Sequence, residues 1–266
     1  MDYAPLPADA FADLYGADSL FARLRARSAG TWQAHVGHRF VAALADGSLP
    51  AAAFRTYLAQ DHLYIVQFAR AHALAAVKAD TVAAMRHALN SAVSLLEVEG
   101  GMQDDMAEQL GEKTPDTPGD APDSGPDSRP DDGGDDSADG WRPRAMHPTT
   151  LAYTSFQMER GMSGDLLDLR VAMTPCTVGY AEIGRSVARA LGDGRNGAPF
   201  DPAGHPYGQW IATYAGEAYQ TVTRQHLAEL DRLWKSRGGD ARFASLSAIF
   251  DQAARFEAAF WEMGLE

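Results

Sequence analysis

The sequence has 266 residues, a formal net charge of −13 and one cysteine. A chain without a strongly basic face is poorly suited to bind the phosphates of nucleic acid or an anionic membrane surface, so neither partner is expected. A single cysteine excludes an intramolecular disulfide and a cysteine-rich zinc site. The sequence shows no leader pattern and no apolar run of about 18 residues, which makes a cytoplasmic protein the expectation.

One segment, 114–140, differs from the rest of the chain in composition. It contains nine Asp and one Arg but no Leu, Ile, Val, Met or aromatic residue. Such a segment cannot bury enough apolar area to offset the entropy lost on ordering. We therefore expect a single domain over 1–266 that is interrupted by a disordered acidic insertion at about 114–140. The remainder of the chain is only mildly acidic.

Helical periodicity dominates the rest of the sequence. Apolar residues recur at spacings of three and four, and the alternation typical of strands is nearly absent. A threonine of the sequence His-Pro-Thr-Thr is expected to cap the helix that follows it. The predicted fold class is an all-α bundle of about seven or eight helices. In chain order, helical regions are predicted over 19–44, 51–79, 81–110, 151–162, 164–191, 206–236 and 241–263.

The only thiol, Cys176, lies within the predicted helix 164–191. Pro175 precedes it and is expected to kink the helix, while Gly179 permits a close approach of another group. Tyr180 lies four residues further on and shares its helical face. Two interpretations stay open. A lone cysteine is often a small buried apolar residue, but a partly open, kinked helix also suits a thiolate nucleophile.

Two carboxylates stand in apolar, aromatic surroundings. Asp61 shares a helical face with Tyr64, which favours either an ion pair with a distant arginine or contact with a donor-rich heterocycle. Glu257 is followed by Phe260 and Trp261 at spacings of three and four. Aromatic surroundings raise the pKa of a carboxyl group and suit it to acid–base catalysis. The segment alone nevertheless favours a surface position for Glu257 at the helix boundary.

Other polar residues carry weaker signals. The eight histidines form neither HExxH nor a pair of Glu-x-x-His motifs. His35 and His38 share a helical face, but no carboxylates accompany them, so no metal is expected. Tyr153 and Tyr214 fit the usual core tyrosine, whose hydroxyl reaches water.

Taken together, several segments resemble the TenA family, also called thiaminase II or aminopyrimidine aminohydrolase. The first contains the sequence LAQDHLYIVQFA, and the last contains FEAAFW. Each segment alone is weak evidence for the family, but the order and spacing of the segments agree with those of the family along nearly the whole chain. The acidic insertion has no counterpart in compact members of the family. The matching segments are 58–69, 152–155, 175–184, 205–214 and 256–261.

The resemblance implies a fold similar to haem oxygenase but without haem or another cofactor, and a homotetramer. It implies a thiamin-salvage hydrolase that acts on 4-amino-5-aminomethyl-2-methylpyrimidine, a small-molecule substrate, with thiamin itself left open as another. Cys176 would then be the nucleophile, Glu257 the acid–base group and Asp61 the carboxylate that holds the aminopyrimidine. The tyrosines of the substrate pocket would be Tyr64, Tyr153, Tyr180 and Tyr214.

Three other functions remain alternatives at this point. The first is a non-catalytic protein on the same fold that binds or senses aminopyrimidines. The second is a metal enzyme or oxidase that uses the histidines, against which the missing Glu-x-x-His pairs weigh. The third is an interaction module in which the acidic insertion is the operative part.

Overall fold

The computed structural model describes residues 3–99, 106, 145–192 and 200–266. Within these ranges the chain is helical and contains no strand, which confirms the all-α class. The insertion predicted at 114–140 and the end of the helix predicted over 81–110 lie outside the described residues. The α-helices are α1 Leu20–Arg27, α2 Ala29–Val36, α3 Arg39–Asp46, α4 Ala51–Val77, α5 Val82–Ser94, α6 Pro148–Ser163, α7 Leu166–Gly192, α8 Gly208–Ala215, α9 Glu217–Arg237 and α10 Asp240–Met263.

The central element is α7, which is buried on all sides. The helices α2, α6, α8, α9 and α10 all pack against α7, which places it in the middle of the bundle. The helix continues through Pro175, whose ring nitrogen cannot donate a backbone hydrogen bond. None of the described helices combines the length and apolar character needed to cross a membrane.

Helix boundaries differ from the predictions where a single residue interrupts the periodicity. The region 19–44 is divided at Ser28 and Gly37 into three short helices. The helix predicted over 206–236 is divided at Gly216, whose backbone is extended, with φ −68° and ψ 150°. Apolar spacing continues across each break, because all the short helices face the same core. Periodicity therefore predicts the buried face but not the turn.

The start of α6 corrects another expectation. His147, not a threonine, caps the helix: its Nδ1 atom accepts a hydrogen bond from the backbone N–H of Thr149, and Pro148 occupies the first turn. The hydroxyl of Thr150 instead donates to the side-chain oxygen of Gln60 at 2.9 Å. This contact joins α6 to α4.

Two glycines of α7 allow neighbouring elements to approach its backbone. A Cβ atom at Gly179 would lie 1.9 Å from Nε2 of His35 in α2, and one at Gly184 would lie 2.6 Å from the carbonyl carbon of Tyr214 in α8. The Nδ1 atom of His35 accepts a hydrogen bond from the indole N–H of Trp261 in α10. The His35 side chain therefore extends from α2 and contacts both α7 and α10.

Replacing Gly179 with alanine is expected to destabilise the protein. Because no space exists for the added methyl group, α7 or His35 must shift, and overpacking of this kind costs about 1–3 kcal/mol. Urea denaturation followed by circular dichroism measures the loss.

Gly30→Ala is the matched control. This exposed helical glycine has nothing within 4 Å of its added Cβ atom, so the substitution should be neutral or slightly stabilising. A double variant that also carries His35→Ala should lose less stability than the sum of the two single changes. Equal stability of Gly179→Ala and Gly30→Ala would contradict the proposed steric contact.

Candidate active site

The structure brings the seven predicted site residues into one connected interior region. Five helices supply them: α4, α6, α7, α8 and α10. Six of the seven are buried, with exposed fractions of at most 4%. Cys176 is only partly buried, unlike the other six residues. The buried six are Asp61, Tyr64, Tyr153, Tyr180, Tyr214 and Glu257.

Glu257 and Tyr153 are joined by a short hydrogen bond. The Tyr153 hydroxyl donates a hydrogen bond to Oε1 of Glu257 at 2.6 Å, which joins α6 to α10. Phe256 stacks on the Tyr153 ring, with 5.3 Å between the ring centroids. Because Glu257 is 2% exposed, the surface position that its own segment favoured is wrong. The neighbouring helices, not the segment itself, enclose it.

The pKa of the Glu257 carboxyl group is raised to about 8. Burial is the main cause, since a charged carboxylate loses its hydration in the interior. The hydrogen bond from Tyr153 acts in the opposite direction, and the negative charge of Asp61 raises the pKa further. A carboxyl group of this kind holds its proton near neutral pH and can give it to a departing group.

Tyr64 lies between Cys176 and Tyr153. Its ring stacks on that of Tyr153 with a centroid distance of 5.1 Å, and its hydroxyl is a hydrogen-bond partner of the Cys176 side chain. The Gln157 side-chain nitrogen donates to the same hydroxyl at 2.9 Å. Burial raises the pKa of Tyr64 well above its usual value, so the phenol keeps its proton.

A second group of aromatic side chains surrounds Tyr180. The indole N–H of Trp210 donates to the Tyr57 hydroxyl at 3.2 Å, and that hydroxyl donates to the Tyr180 oxygen at 3.3 Å. The Tyr214 ring meets the Tyr180 ring edge to face, with 4.9 Å between centroids. The Tyr57 hydroxyl therefore contacts both the Trp210 indole and the Tyr180 hydroxyl.

The charge of Asp61 acts both on Glu257 and on the aromatic group around Tyr180. Its charge raises the pKa of both Glu257 and Tyr180, so it lies near each of them. Two carboxyl groups in one interior do not both ionise readily. The negative charge of Asp61 therefore favours the protonated form of Glu257.

Three residues of this region were not among the predicted site residues: Gln157, Tyr57 and His35. Gln157 follows Tyr153 by four residues and Tyr57 precedes Asp61 by four, so helical spacing already placed each on the same face as a predicted residue. No such signal exists for His35, whose contact with Gly179 is purely tertiary. Among the residues that the structure describes, no cluster of His, Cys, Asp and Glu could hold a metal ion.

These groups together define the chemistry available. Stacked aromatic rings suit a flat ring system, and a buried carboxylate favours a ligand with N–H donors. The partly buried Cys176 is a hydrogen-bond partner of Tyr64, and the carboxyl group of Glu257 accepts a hydrogen bond from Tyr153, whose ring stacks on that of Tyr64. A thiol, a buried carboxyl group and aromatic rings are the groups that nucleophilic and acid–base chemistry on a polar heterocycle would require.

Comparison with known proteins supports one family. The model of the TENA/THI-4/PQQC family matches residues 25–122 and 141–266. A protein of Halalkalibacterium halodurans named aminopyrimidine aminohydrolase is 30% identical over 92% of this chain and 95% of its own length. The crystal structure of a protein from a Silicibacter species, titled a TenA family transcription regulator, is 31% identical, with a TM-score of 0.77 over 96% of this chain and 99% of that one.

A structure with lower sequence identity identifies the fold class. A domain from Shewanella denitrificans, described as having a heme oxygenase-like fold, is 12% identical, with a TM-score of 0.62 over 92% of this chain and 91% of that one. At this identity the likeness concerns the fold alone. It confirms the haem-oxygenase-like bundle expected from the sequence.

The raised pKa of Glu257 predicts a specific dependence of stability on pH. Between about pH 5 and 8 the folded protein keeps a proton on Glu257 that the unfolded chain has released, so the free energy of unfolding falls as pH rises. The slope due to this one group approaches about 1.4 kcal/mol per pH unit. Glu257→Gln, which is neutral and can still accept from Tyr153, should remove this slope.

Urea denaturation of both proteins across pH 5–8 tests this prediction, and the difference between them isolates Glu257. Glu97→Gln, a change at an exposed glutamate, serves as the control and should follow the unchanged protein. Parallel curves for Glu257→Gln and the unchanged protein would show that Glu257 is ionised throughout this range.

Proposed function

The chain belongs to the TENA/THI-4/PQQC family, and on this basis we propose that it is a C–N bond hydrolase of thiamin salvage. Its substrate would be 4-amino-5-aminomethyl-2-methylpyrimidine, its products ammonia and the 5-hydroxymethyl pyrimidine, and thiamin would be a second candidate substrate. The matching relative named aminopyrimidine aminohydrolase supports this reaction class. The observation that carries the proposal is the convergence of Cys176 and Glu257 on the Tyr64–Tyr153 pair.

Substrate binding would use the buried carboxylate and the aromatic rings. Asp61 would accept a hydrogen bond from the exocyclic amine or a protonated ring nitrogen, which gives a charge-assisted contact. Tyr64, Tyr153, Tyr180 and Tyr214 would enclose the ring. Burial raises the pKa of Tyr64, Tyr153 and Tyr180 well above the usual value, so these three phenols would present donors and apolar surfaces without negative charge.

The reaction would proceed by addition and elimination. The Cys176 thiolate would form a bond to an electron-poor ring carbon, and the displaced electron pair would expel the amine from the 5-methylene group. Glu257 would give its proton to that amine, which leaves as ammonia. The resulting carboxylate would take a proton from water as the water oxygen bonds to the methylene carbon. Breaking the carbon–sulfur bond then restores the ring and the thiolate.

Two further features belong to this proposal. The resemblance supports a homotetramer in the cytoplasm, formed from chains that each fold as one domain. The aminopyrimidine would be the small-molecule partner, and the mechanism above uses protein side chains and water alone.

Cys176→Ser is expected to lower ammonia release from 4-amino-5-aminomethyl-2-methylpyrimidine by several orders of magnitude, because a hydroxyl group is a far weaker nucleophile than a thiolate. Binding of the 5-hydroxymethyl product, measured by isothermal titration calorimetry, should change little. Enzyme-coupled detection of ammonia gives the rate.

The outcome separates the competing functions. Release that persists in Cys176→Ser would retain the hydrolase but remove the covalent step. Binding without release by the unchanged protein, with this substrate and with thiamin, would favour the binding or regulatory alternative. Asp18→Asn, at an exposed aspartate, controls for the effect of a surface substitution.

Asp61→Asn should act mainly on affinity. Losing a charge-assisted hydrogen bond to the pyrimidine is expected to raise the Kd of the product roughly 10- to 100-fold. The same calorimetric titration measures this change, with Asp18→Asn again as the control. An unaltered Kd would contradict the contact assigned to Asp61.

A further inference from the structure

The side-chain nitrogen of Gln157 makes hydrogen bonds to Tyr64 and to the backbone of α7. The side chain is 1% exposed and projects from α6, one turn after Tyr153. Its Nε2 atom lies 2.9 Å from the Tyr64 hydroxyl and 3.5 Å from the backbone carbonyl of Ala172 in α7. A carbonyl oxygen can only accept, so the atom facing it must be the amide nitrogen. The Ala172 carbonyl therefore fixes the orientation of the Gln157 amide.

The orientation of the amide determines what the Tyr64 hydroxyl does. Because an amide NH₂ group only donates, the Tyr64 oxygen must accept the hydrogen bond from Gln157. The single phenolic proton of Tyr64 then points elsewhere. Its two neighbours are the sulfur of Cys176 and the hydroxyl of Tyr153.

The choice between these neighbours depends on charge. Tyr153 already directs its own proton to Glu257, so its oxygen is a neutral acceptor. A thiolate is a charged acceptor, and hydrogen bonds to charged groups are roughly twice as strong as neutral ones. When Cys176 is ionised, the Tyr64 proton therefore turns to the sulfur.

We propose that Gln157 is a positioning residue, which holds the Tyr64 hydroxyl so that its proton is donated to the Cys176 thiolate. Gln157 touches neither the sulfur nor the substrate in this role and acts through Tyr64 alone. The hydrogen bonds Gln157→Tyr64→Cys176 also polarise one another, which strengthens the second bond. The catalytic meaning of the proposal rests on the nucleophilic role proposed for Cys176, but its test does not require turnover.

The test measures thiol ionisation through the rate of alkylation by iodoacetamide across pH 5–10. The protein has one cysteine, so mass spectrometry of the intact chain follows Cys176 without interference. In Gln157→Met, which keeps the shape but removes the donor, the pH midpoint of alkylation should move upward by roughly one unit, a tenfold change in thiolate stability. Tyr64→Phe should produce an upward shift of similar size.

The double variant gives the most specific prediction. If Gln157 acts only through Tyr64, adding Gln157→Met to Tyr64→Phe should move the midpoint no further. Gln220→Met is the matched control, since Gln220 is also buried and donates to the carbonyls of Ala181 and Tyr214, but not to Tyr64. It should lose comparable stability and keep the original midpoint.

Two results would overturn the proposal. One is a midpoint in Gln157→Met equal to that of the unchanged protein, which would make Gln157 a packing residue. The other is fully additive shifts in the double variant, which would mean that Gln157 acts independently of Tyr64. Neither result depends on ammonia release, so failure of this proposal is distinguishable from failure of the proposed hydrolase. Circular dichroism spectra verify that each variant is folded before it is alkylated.

Discussion

The hydrogen bond between Tyr153 and Glu257 is the interaction on which the rest of the site depends. It places a carboxyl group in the interior, where the charged form is costly, and provides the contact that partly offsets this cost. It also joins α6 to α10, the helices on which Gln157 and Trp261 lie. Through Gln157 the contact network extends to Tyr64, and through Trp261 it extends to His35.

The central helix α7 explains how so many polar groups gather around one thiol. A helix at the centre of a bundle meets neighbours on every side, so residues from α4, α6, α8 and α10 approach its middle turns. Gly179 and Gly184 lie on those turns and allow the His35 ring and the α8 backbone to come close. A larger residue at Gly184 would push α8 away from α7, and one at Gly179 would displace the His35 ring.

The sequence predicted the buried faces better than the connections between helices. The periodicity of α4, α7 and α10 was clear, because long helices repeat the apolar spacing many times. The break at Gly216 carries no such repetition: one extended residue ends α8 and begins α9. Its position is set by packing of α8 against α7, which local spacing does not encode.

The same distinction applies within the site. The sequence singled out Asp61 on an apolar helical face and Cys176 beside a proline, whereas the place of Tyr64 in the site was expected from the family resemblance. Glu257 seemed a surface residue from its own segment, since the groups that bury it belong to other helices. Gln157 was overlooked although it shares a face with Tyr153, because a glutamine carries no chemical signal of its own. Its importance lies in the atoms it faces across α4 and α7.

The proposed roles of Glu257 and Cys176 require opposite electrostatic surroundings. A carboxyl group that must give a proton needs a dry environment, which raises its pKa, whereas a thiolate needs donors that replace its lost hydration. The structure separates the two by a pair of stacked tyrosines. Tyr153 faces Glu257, where burial dominates, while Tyr64 faces the partly exposed Cys176 and is supplied with a donor by Gln157. Two phenols that keep their protons therefore lie between the buried carboxyl group and the cysteine, and each group has its own hydrogen-bond partner.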